Sequence, residues 1–248
     1  MAGVLNRPPE TVVYLKNLSA RIGSETQMLK ADTAEFSYDL TLTPAKPPVL
    51  HGRAGYSLKG SSPQRASCYY SYTRLEVDGH LTIGGKTFAV SGQGWMDHEF
   101  STAMLEPGIK GWDWFSLQLS DRTEIMVFLL RTDEGGISAV SSGTFVDPEG
   151  KTRTIGKDDF AVTILDTWQS PHSKAVYPSR WRLRVFPFAL DLTISANLAD
   201  QEMRTSASTG VTYWEGSVSI RGTRDANPIN GQGYVELTGY AESFDIPM

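Results

Sequence analysis

The run Phe36-Ser37-Tyr38-Asp39-Leu40-Thr41-Leu42-Thr43 places an apolar side chain at every second position and a polar one between. A repeat of two is the signature of a β-strand with one face toward a core. The alternation returns at Trp181-Arg182-Leu183-Arg184-Val185, over residues 190–195 (Leu190, Leu192 and Ile194 against Asp191, Thr193 and Ser195), and around Trp214, Val218 and Ile220. Turn-forming groups separate such runs at hairpin distances: Asp78-Gly79, Gly84-Gly85, Glu134-Gly135-Gly136, Asp147-Pro148-Glu149-Gly150 and Asn230-Gly231. No window carries a sustained helical stripe with caps, and a single short helix is expected near Lys157 to Phe160. About a dozen strands in meander order predict an all-β protein of antiparallel barrels or sandwiches.

One strand breaks the rule. In Glu124-Ile125-Met126-Val127-Phe128-Leu129-Leu130-Arg131 both faces are apolar. A barrel wall facing water does not read so, and this strand is expected to be covered on its outer side by another element or domain. Pro44-Ala45-Lys46-Pro47-Pro48 must be a loop or an edge crossing, because proline cannot donate to a ladder.

With 248 residues the chain has length for one large β domain or two small ones. A hydrophobic content of 40%, a charged content of 21% and a net charge of -5 describe an ordinary globular protein. They speak against a nucleic-acid partner, which needs a basic stripe. Arg180, Arg182 and Arg184 share a strand face and read as solvated. There is no membrane-length apolar run, and residues 1–10 lack the apolar core of a signal peptide. The chain as it stands is expected to be cytoplasmic, or periplasmic or secreted if a leader has been removed. Cys68 is the single cysteine, which excludes an internal disulfide; it reads as a small buried hydrophobe. Four scattered histidines, His51, His80, His98 and His172, show no metal spacing. With no G-x-G-x-x-G, P-loop or H-E-x-x-H, no cofactor is expected.

Several blocks carry a family resemblance. Lys46-Pro47-Pro48-Val49-Leu50-His51-Gly52, the 67–75 stretch SCYYSYTRL, Gly94-Trp95-Met96-Asp97-His98-Glu99-Phe100, Gly111-Trp112-Asp113-Trp114-Phe115, Tyr213-Trp214-Glu215-Gly216 and the 233–240 stretch GYVELTGY resemble, in order, blocks of the lipocalin-like AttH/hydroxyneurosporene-synthase family. That resemblance implies two lipocalin-like β-barrels with a ligand site between or inside them. The family includes carotenoid 1,2-hydratase, fungal hydratases and Diels–Alderase-type cyclases, and AttH-like members are often associated with export systems. The tryptophan-rich strand block with which family members usually open does not precede Tyr14, so the first barrel is expected to be reduced or incomplete. The expected division is 1–104 for an N-terminal lipocalin-like domain and 105–248 for a C-terminal barrel. A reduced first barrel that bared the 124–131 strand would favour a homodimer.

The chemistry expected from the residues centres on the 94–100 block. As a strand it puts Trp95, Asp97 and Glu99 on one face and Met96, His98 and Phe100 on the other. Two carboxylates two residues apart beside an indole can raise one pKa and keep a proton donor near neutral pH. Protonating an unactivated alkene needs such a donor, and aromatic faces stabilise the cation. The candidate catalytic set is therefore Asp97, His98 and Glu99. The candidate ligand wall is Tyr70, Tyr72, Trp95, Trp112, Trp114 and Gln118, the last three sharing the aromatic face of residues 112–118. The enzyme so described is a hydratase, or a cyclase-like isomerase, acting on an isoprenoid, polyene or other hydrophobic natural-product intermediate. The alternative is a carrier that binds a hydrophobic ligand without changing it. Asp113, on the opposite, apolar face, is either a desolvated acid or a buried anchor to a backbone amide, and reads as the anchor. Tyr213, Glu215, Glu236 and Tyr240 fall on two late strands as cross-strand pairs and read as ordinary wall residues.

Overall fold

The computed structural model of the chain describes residues 2–7, 10–23, 25–102 and 105–241. Its elements are strands: β1 (Ala2–Arg7), β2 (Glu10–Leu15), β3 (Leu18–Ile22), β4 (Gln27–Asp32), β5 (Phe36–Pro44), β6 (Val49–Leu50), β7 (Tyr56–Leu58), β8 (Ala66–Ile83) and β9 (Lys86–Phe100), followed by β10 (Ile109–Leu119), β11 (Glu124–Thr132), β12 (Ser142–Val146), β13 (Thr152–Ile155), β14 (Phe160–Gln169), β15 (Val176–Val185), β16 (Leu190–Ala196), β17 (Glu202–Arg204), β18 (Thr212–Arg224) and β19 (Asn227–Leu237). The expected short helix is a single 3-10 turn, Lys157–Asp159, closed by Asp159 accepting from the Gly156 amide at 2.8 Å. Two compact units emerge: Met1–Pro48 with Ser71–Asp97, and Val49–Tyr70 with His98–Met248. The division falls inside β8 and β9, and segment 49–70 belongs with the second unit.

In the first unit, β1 to β5 are an antiparallel meander in chain order, and β5 pairs with the later half of β8. The register builds cross-strand rows. Val13, Ala20, Leu29, Leu40 and Gly79 lie side by side on an apolar face, while Tyr14, Ser19, Lys30, Asp39 and His80 make a polar row on the other. Gly84 and Gly85, both at positive φ, turn β8 into β9 as expected. Asp78-Gly79 is not a turn. It lies inside β8, where a Cβ on Gly79 would sit 2.1 Å from the Asp39 carbonyl oxygen, so glycine is there for close strand approach. The 44–48 stretch ends β5 and loops, as proline requires.

The second unit carries the principal core. Its sheet runs β13-β12-β11-β10-β19-β18-β16-β15-β14, with β17 on β18. Inward side chains from both ends of this path, Ile155 of β13 and Phe160 of β14, join one cluster with Phe115, Val127, Trp181, Leu192, Trp214 and Val235. The sheet thus wraps around a single filled core. Closed barrels, however, are not what forms: no ladder joins β13 to β14 among the described residues, so the sheet stays open there. Trp181, Leu183 and Val185 are fully buried while Arg180, Arg182 and Arg184 are exposed, Arg182 gripping Asp191 with Nε at 2.8 Å.

The two-faced strand β11 is covered as expected. Ile125 and Val127 point into the core, and Met126, Phe128 and Leu130 are buried on the outer side. Part of that cover is segment 49–70 of the same unit: the Lys59 ammonium lies 4.0 Å from the Phe128 ring centre, His51 Nδ1 is 2.9 Å from the Thr144 hydroxyl, and Trp114 Nε1 donates to the Tyr69 hydroxyl at 3.1 Å. This removes the exposed strand on which the homodimer expectation rested. Cys68, in contrast, is exposed rather than buried, because it falls on the opposite strand face from Ser67 and Tyr69, which are buried.

A buried carboxylate ties β17 to the β14–β15 turn. Glu202 accepts from Ser170 at 2.8 Å, from Tyr177 at 3.1 Å and from Ser173. Burial works to raise its pKa, but the three hydroxyls and Arg204 outweigh it and hold the carboxyl below its ordinary value of 4.5. A depressed folded-state pKa gives stability that is present above the unfolded value and is lost as pH falls through the folded one. Glu202→Gln should therefore cost about 2 kcal/mol at pH 7 and flatten the acid limb of a melting-temperature–pH profile; an unchanged limb would contradict the assignment.

Candidate functional site

The 94–100 block forms the end of β9, and its residues split by face as alternation demands. On one face Trp95 Nε1 donates to Asp97 Oδ1 at 3.1 Å, and Asp97 also accepts from the Ser71 hydroxyl. Further along the same face, Glu99 accepts from the Ser67 hydroxyl and pairs with Lys59 at 2.9 Å. On the other face Tyr70, His98 and Phe100 make a column of rings, with centroids 5.1 and 5.3 Å apart, and the Tyr70 hydroxyl is 3.2 Å from His98 Nδ1. Asp97, His98 and Glu99 are all exposed. Tyr72 is half-buried in the first unit.

Trp112, Trp114, Ser116 and Gln118 share the outer face of β10, away from the filled core. Gln118 is buried there, opposite Gln232 and Glu124. Their neighbours on this face are residues that the sequence reads only as ordinary wall. In the β18–β19 ladder Glu215 lies directly opposite Glu236, and Glu236 lies opposite Trp114 on β10, which in turn faces Phe128 on β11. One row thus reads Glu215, Glu236, Trp114, Phe128. Trp112 Nε1 donates to Glu236 Oε2 at 3.1 Å, and the Tyr213 hydroxyl donates to Glu215 Oε1 at 3.3 Å. Tyr234, on the same face of β19, is 40% exposed.

The electrostatics of this cluster are unusual for a sheet surface, where like charges directly opposite are unfavourable. Burial raises the Glu215 pKa, with the Tyr213 hydrogen bond pulling the other way. Burial, then the Glu215 charge, pushes Tyr213 up to about 12, and Tyr234 is pushed to about 12 by burial and both glutamates. The result is a carboxyl that keeps its proton to higher pH than usual, a second carboxylate one strand away, two neutral phenols and two indoles. A proton donor, a proton acceptor and cation-stabilising rings are thereby gathered.

Two other polar clusters differ in kind. Asp113, on the inner face of β10, pairs with Arg131 Nε at 2.8 Å and accepts from Tyr240 at 3.0 Å, while Arg131 lies over Tyr240 at 3.9 Å; it is a buried anchor, but to these side chains and not to the expected backbone amide. A cavity of about 560 Å³ on the polar face of the first unit is lined by Tyr14, Ser19, Lys30, Asp39, His80 and their neighbours. Its polar centre is the Lys30–Asp39 pair, 2.6 Å apart, beside the rings of Tyr14 and Tyr38. Among the described residues no three His, Cys, Asp or Glu side chains gather as metal ligands, and no helix is long and apolar enough to cross a membrane.

An open antiparallel sheet wrapped on one core, preceded by a second antiparallel sheet, places the protein among lipocalin-like β folds. The AttH-like family profile matches residues 2–240, and the chain belongs to that family. A crystal structure assigned to AttH from Nitrosomonas europaea is 33% identical, superposes with a TM-score of 0.84, and is matched over 92% of this chain and 70% of its own. Kievitone hydratase of Fusarium solani subsp. phaseoli is 24% identical over 85% of this chain and 59% of its own length. Dehydratase asqC of Emericella nidulans is 17% identical over 86% of this chain and 61% of its own. The chain thus spans about three fifths of the length of these two curated relatives.

Proposed function

We propose that the protein is a lyase of the hydratase–dehydratase kind, acting by acid–base catalysis on a hydrophobic isoprenoid, polyene or related natural-product intermediate. The observation that carries this reading is the Glu215–Glu236 pair facing each other among Tyr213, Tyr234 and Trp112, with the Glu215 pKa raised. The names of the two curated relatives, a hydratase and a dehydratase, point the same way. In the hydration direction the Glu215 carboxylic acid gives its proton to an alkene carbon. The cation lies against the indole and phenol faces, each contributing on the order of 1–2 kcal/mol when desolvated. Glu236 takes a proton from the water that adds to the cation. Across an antiparallel pair the two carboxyls are close enough to pass that proton back to Glu215, which restores the starting state. Dehydration is the same path reversed. Only protein groups and water are required.

In this reading the contacts of the 95–99 segment are structural: Asp97 fixes the Trp95 indole and Glu99 holds Lys59. Asp97 remains the rival acid, and Asp97→Asn separates the two. Weakening of the two hydrogen bonds that Asp97 accepts, from Trp95 and Ser71, should leave turnover within about tenfold of the unaltered protein; a deeper loss would move the acid to Asp97. The reaction itself is tested by incubating the whole chain with prenylated phenols and conjugated polyenes in ¹⁸O-labelled water and following products by mass spectrometry. Gain of one labelled water, or loss of water from a tertiary alcohol, is expected. Stoichiometric binding with every ligand recovered unchanged would establish the carrier instead.

A further inference from the structure

We infer that Lys59 and Glu99 form an exchangeable ion pair at which an anionic oxygen of the ligand replaces Glu99, so that the ligand has an apolar body and one acidic head. The inference rests on the proposed site for its location, though not on the site's chemistry. The Glu215–Glu236–Trp114–Phe128 row has an acid pair at one end. At the other end the Lys59 ammonium lies 4.0 Å from the Phe128 ring centre and 5.0 Å from that of Tyr69, whose hydroxyl holds the Trp114 indole at 3.1 Å. At about 4.8 Å per strand, Glu236 and Phe128 are roughly 10 Å apart; Phe128 is buried beneath Lys59, so the half-buried Trp114 between them is the ring that an apolar body meets.

The surroundings of Lys59 favour an anion. Its ammonium donates to Ser57 Oγ at 3.2 Å and pairs with Glu99 Oε1 at 2.9 Å, and two ring faces cover part of the rest. His51 is tilted on Tyr69 with ring centres 4.3 Å apart. Burial, followed by the Lys59 charge, lowers its pKa to about 3, so it adds no competing cation. The partners of the ion pair are unequally solvated: 36% of the Glu99 side chain is exposed against 19% for Lys59. The desolvated cation gains most from keeping a counter-ion, and the better solvated carboxylate loses least by leaving. Glu99 also keeps the Ser67 hydroxyl when it lets the ammonium go. A carboxylate, phenolate or enolate oxygen arriving over Trp114 makes the exchange with charge conserved.

The test compares cis-parinaric acid with its methyl ester, which share one fluorescent polyene body and differ in the anionic head. The acid should bind about tenfold more tightly than the ester at pH 8, the size of one charge-assisted contact. Lys59→Met should bring the acid down to the ester's affinity and leave the ester unchanged, Lys59→Arg should retain most of the preference, and Glu99→Gln should strengthen acid binding. Equal affinities in the unaltered protein, absence of binding by both, or a Lys59→Met loss shared by acid and ester would each overturn the inference. Failure of the lyase reading is told apart by Glu215→Gln: it leaves the acid–ester difference intact whether or not turnover depends on Glu215.

Discussion

Arg131→Met should destabilise the protein by about 3–5 kcal/mol, the range for breaking a buried ion pair by removing one partner. In a unit of this size that is a fall of roughly 10 °C or more in melting temperature. The reason lies in what remains. Asp113 is 6% exposed, and its pKa is already raised, because burial outweighs the Arg131 charge and the hydrogen bonds from Tyr240 and Arg131. Without the guanidinium, the carboxyl must stay protonated or stand charged in an apolar wall. Arg131 also donates to the Thr238 carbonyl and lies flat on Tyr240, so the chain end after β19 loses its clasp. Gly239 at φ 69 makes that clasp feasible: a Cβ there would meet the Lys110 carbonyl oxygen at 2.1 Å. The pH sign is fixed. An acid whose folded pKa is raised holds more protons folded than unfolded, so stability declines as pH rises from its ordinary 3.8 toward the folded value. The variant should show a steeper decline, extended to higher pH. Asp113→Leu added to Arg131→Met should recover part of the loss, because no charge is then left unpaired. A loss below about 1 kcal/mol would mean that the pair is solvated.

Much of the fold was legible because strand alternation is local. Trp181, Leu183 and Val185 read as core from their spacing alone, and they are core. The two-faced 124–131 run announced a cover; that segment 49–70 supplies part of it depends on contacts nearly 70 residues apart in sequence, such as Lys59 on Phe128, which no local pattern encodes. Where turn chemistry misled, the strand register was misread. Asn230-Gly231 reads as the hairpin turn, yet both residues lie inside β19 and the turn is Asp225-Ala226, each at positive φ without a glycine. That two-residue turn sets Arg224 opposite Asn227, and every later pair follows, Glu215 opposite Glu236 included. With the turn placed at 230–231 this exact register cannot be found, and Glu215 and Glu236, though expected on paired late strands, read as ordinary wall residues. The 95–100 block drew the eye because its acids and rings are adjacent in sequence. In space its carboxylates are exposed and already engaged, Asp97 by Ser71 and Trp95, Glu99 by Ser67 and Lys59.

Glu215→Gln should lower turnover by about 10²–10⁴, the usual contribution of a positioned general acid, without altering ligand affinity or melting temperature. Glutamine keeps the shape and can still accept from Tyr213, so the cross-strand packing at β18–β19 survives and only the transferable proton is gone. The pH dependence identifies the group. In the proposed mechanism the acid form of Glu215 is the active one, so rate should fall as pH rises through its raised pKa, and the variant's residual rate should lack that limb. Tyr213→Phe shifts the limb in a direction that a purely structural role does not foresee. The Tyr213 hydroxyl donates to the carboxylate and so lowers the Glu215 pKa against burial. Removing it should raise that pKa and carry activity to higher pH, while a small loss of rate reports the missing hydrogen bond. Glu236→Gln removes the water's base, keeps an amide oxygen that can accept from the Trp112 indole, and leaves the acid in place. It should therefore slow water addition and divert the cation to elimination or cyclised products. A Glu236→Gln variant that hydrates at the full rate would restrict the mechanism to Glu215 alone.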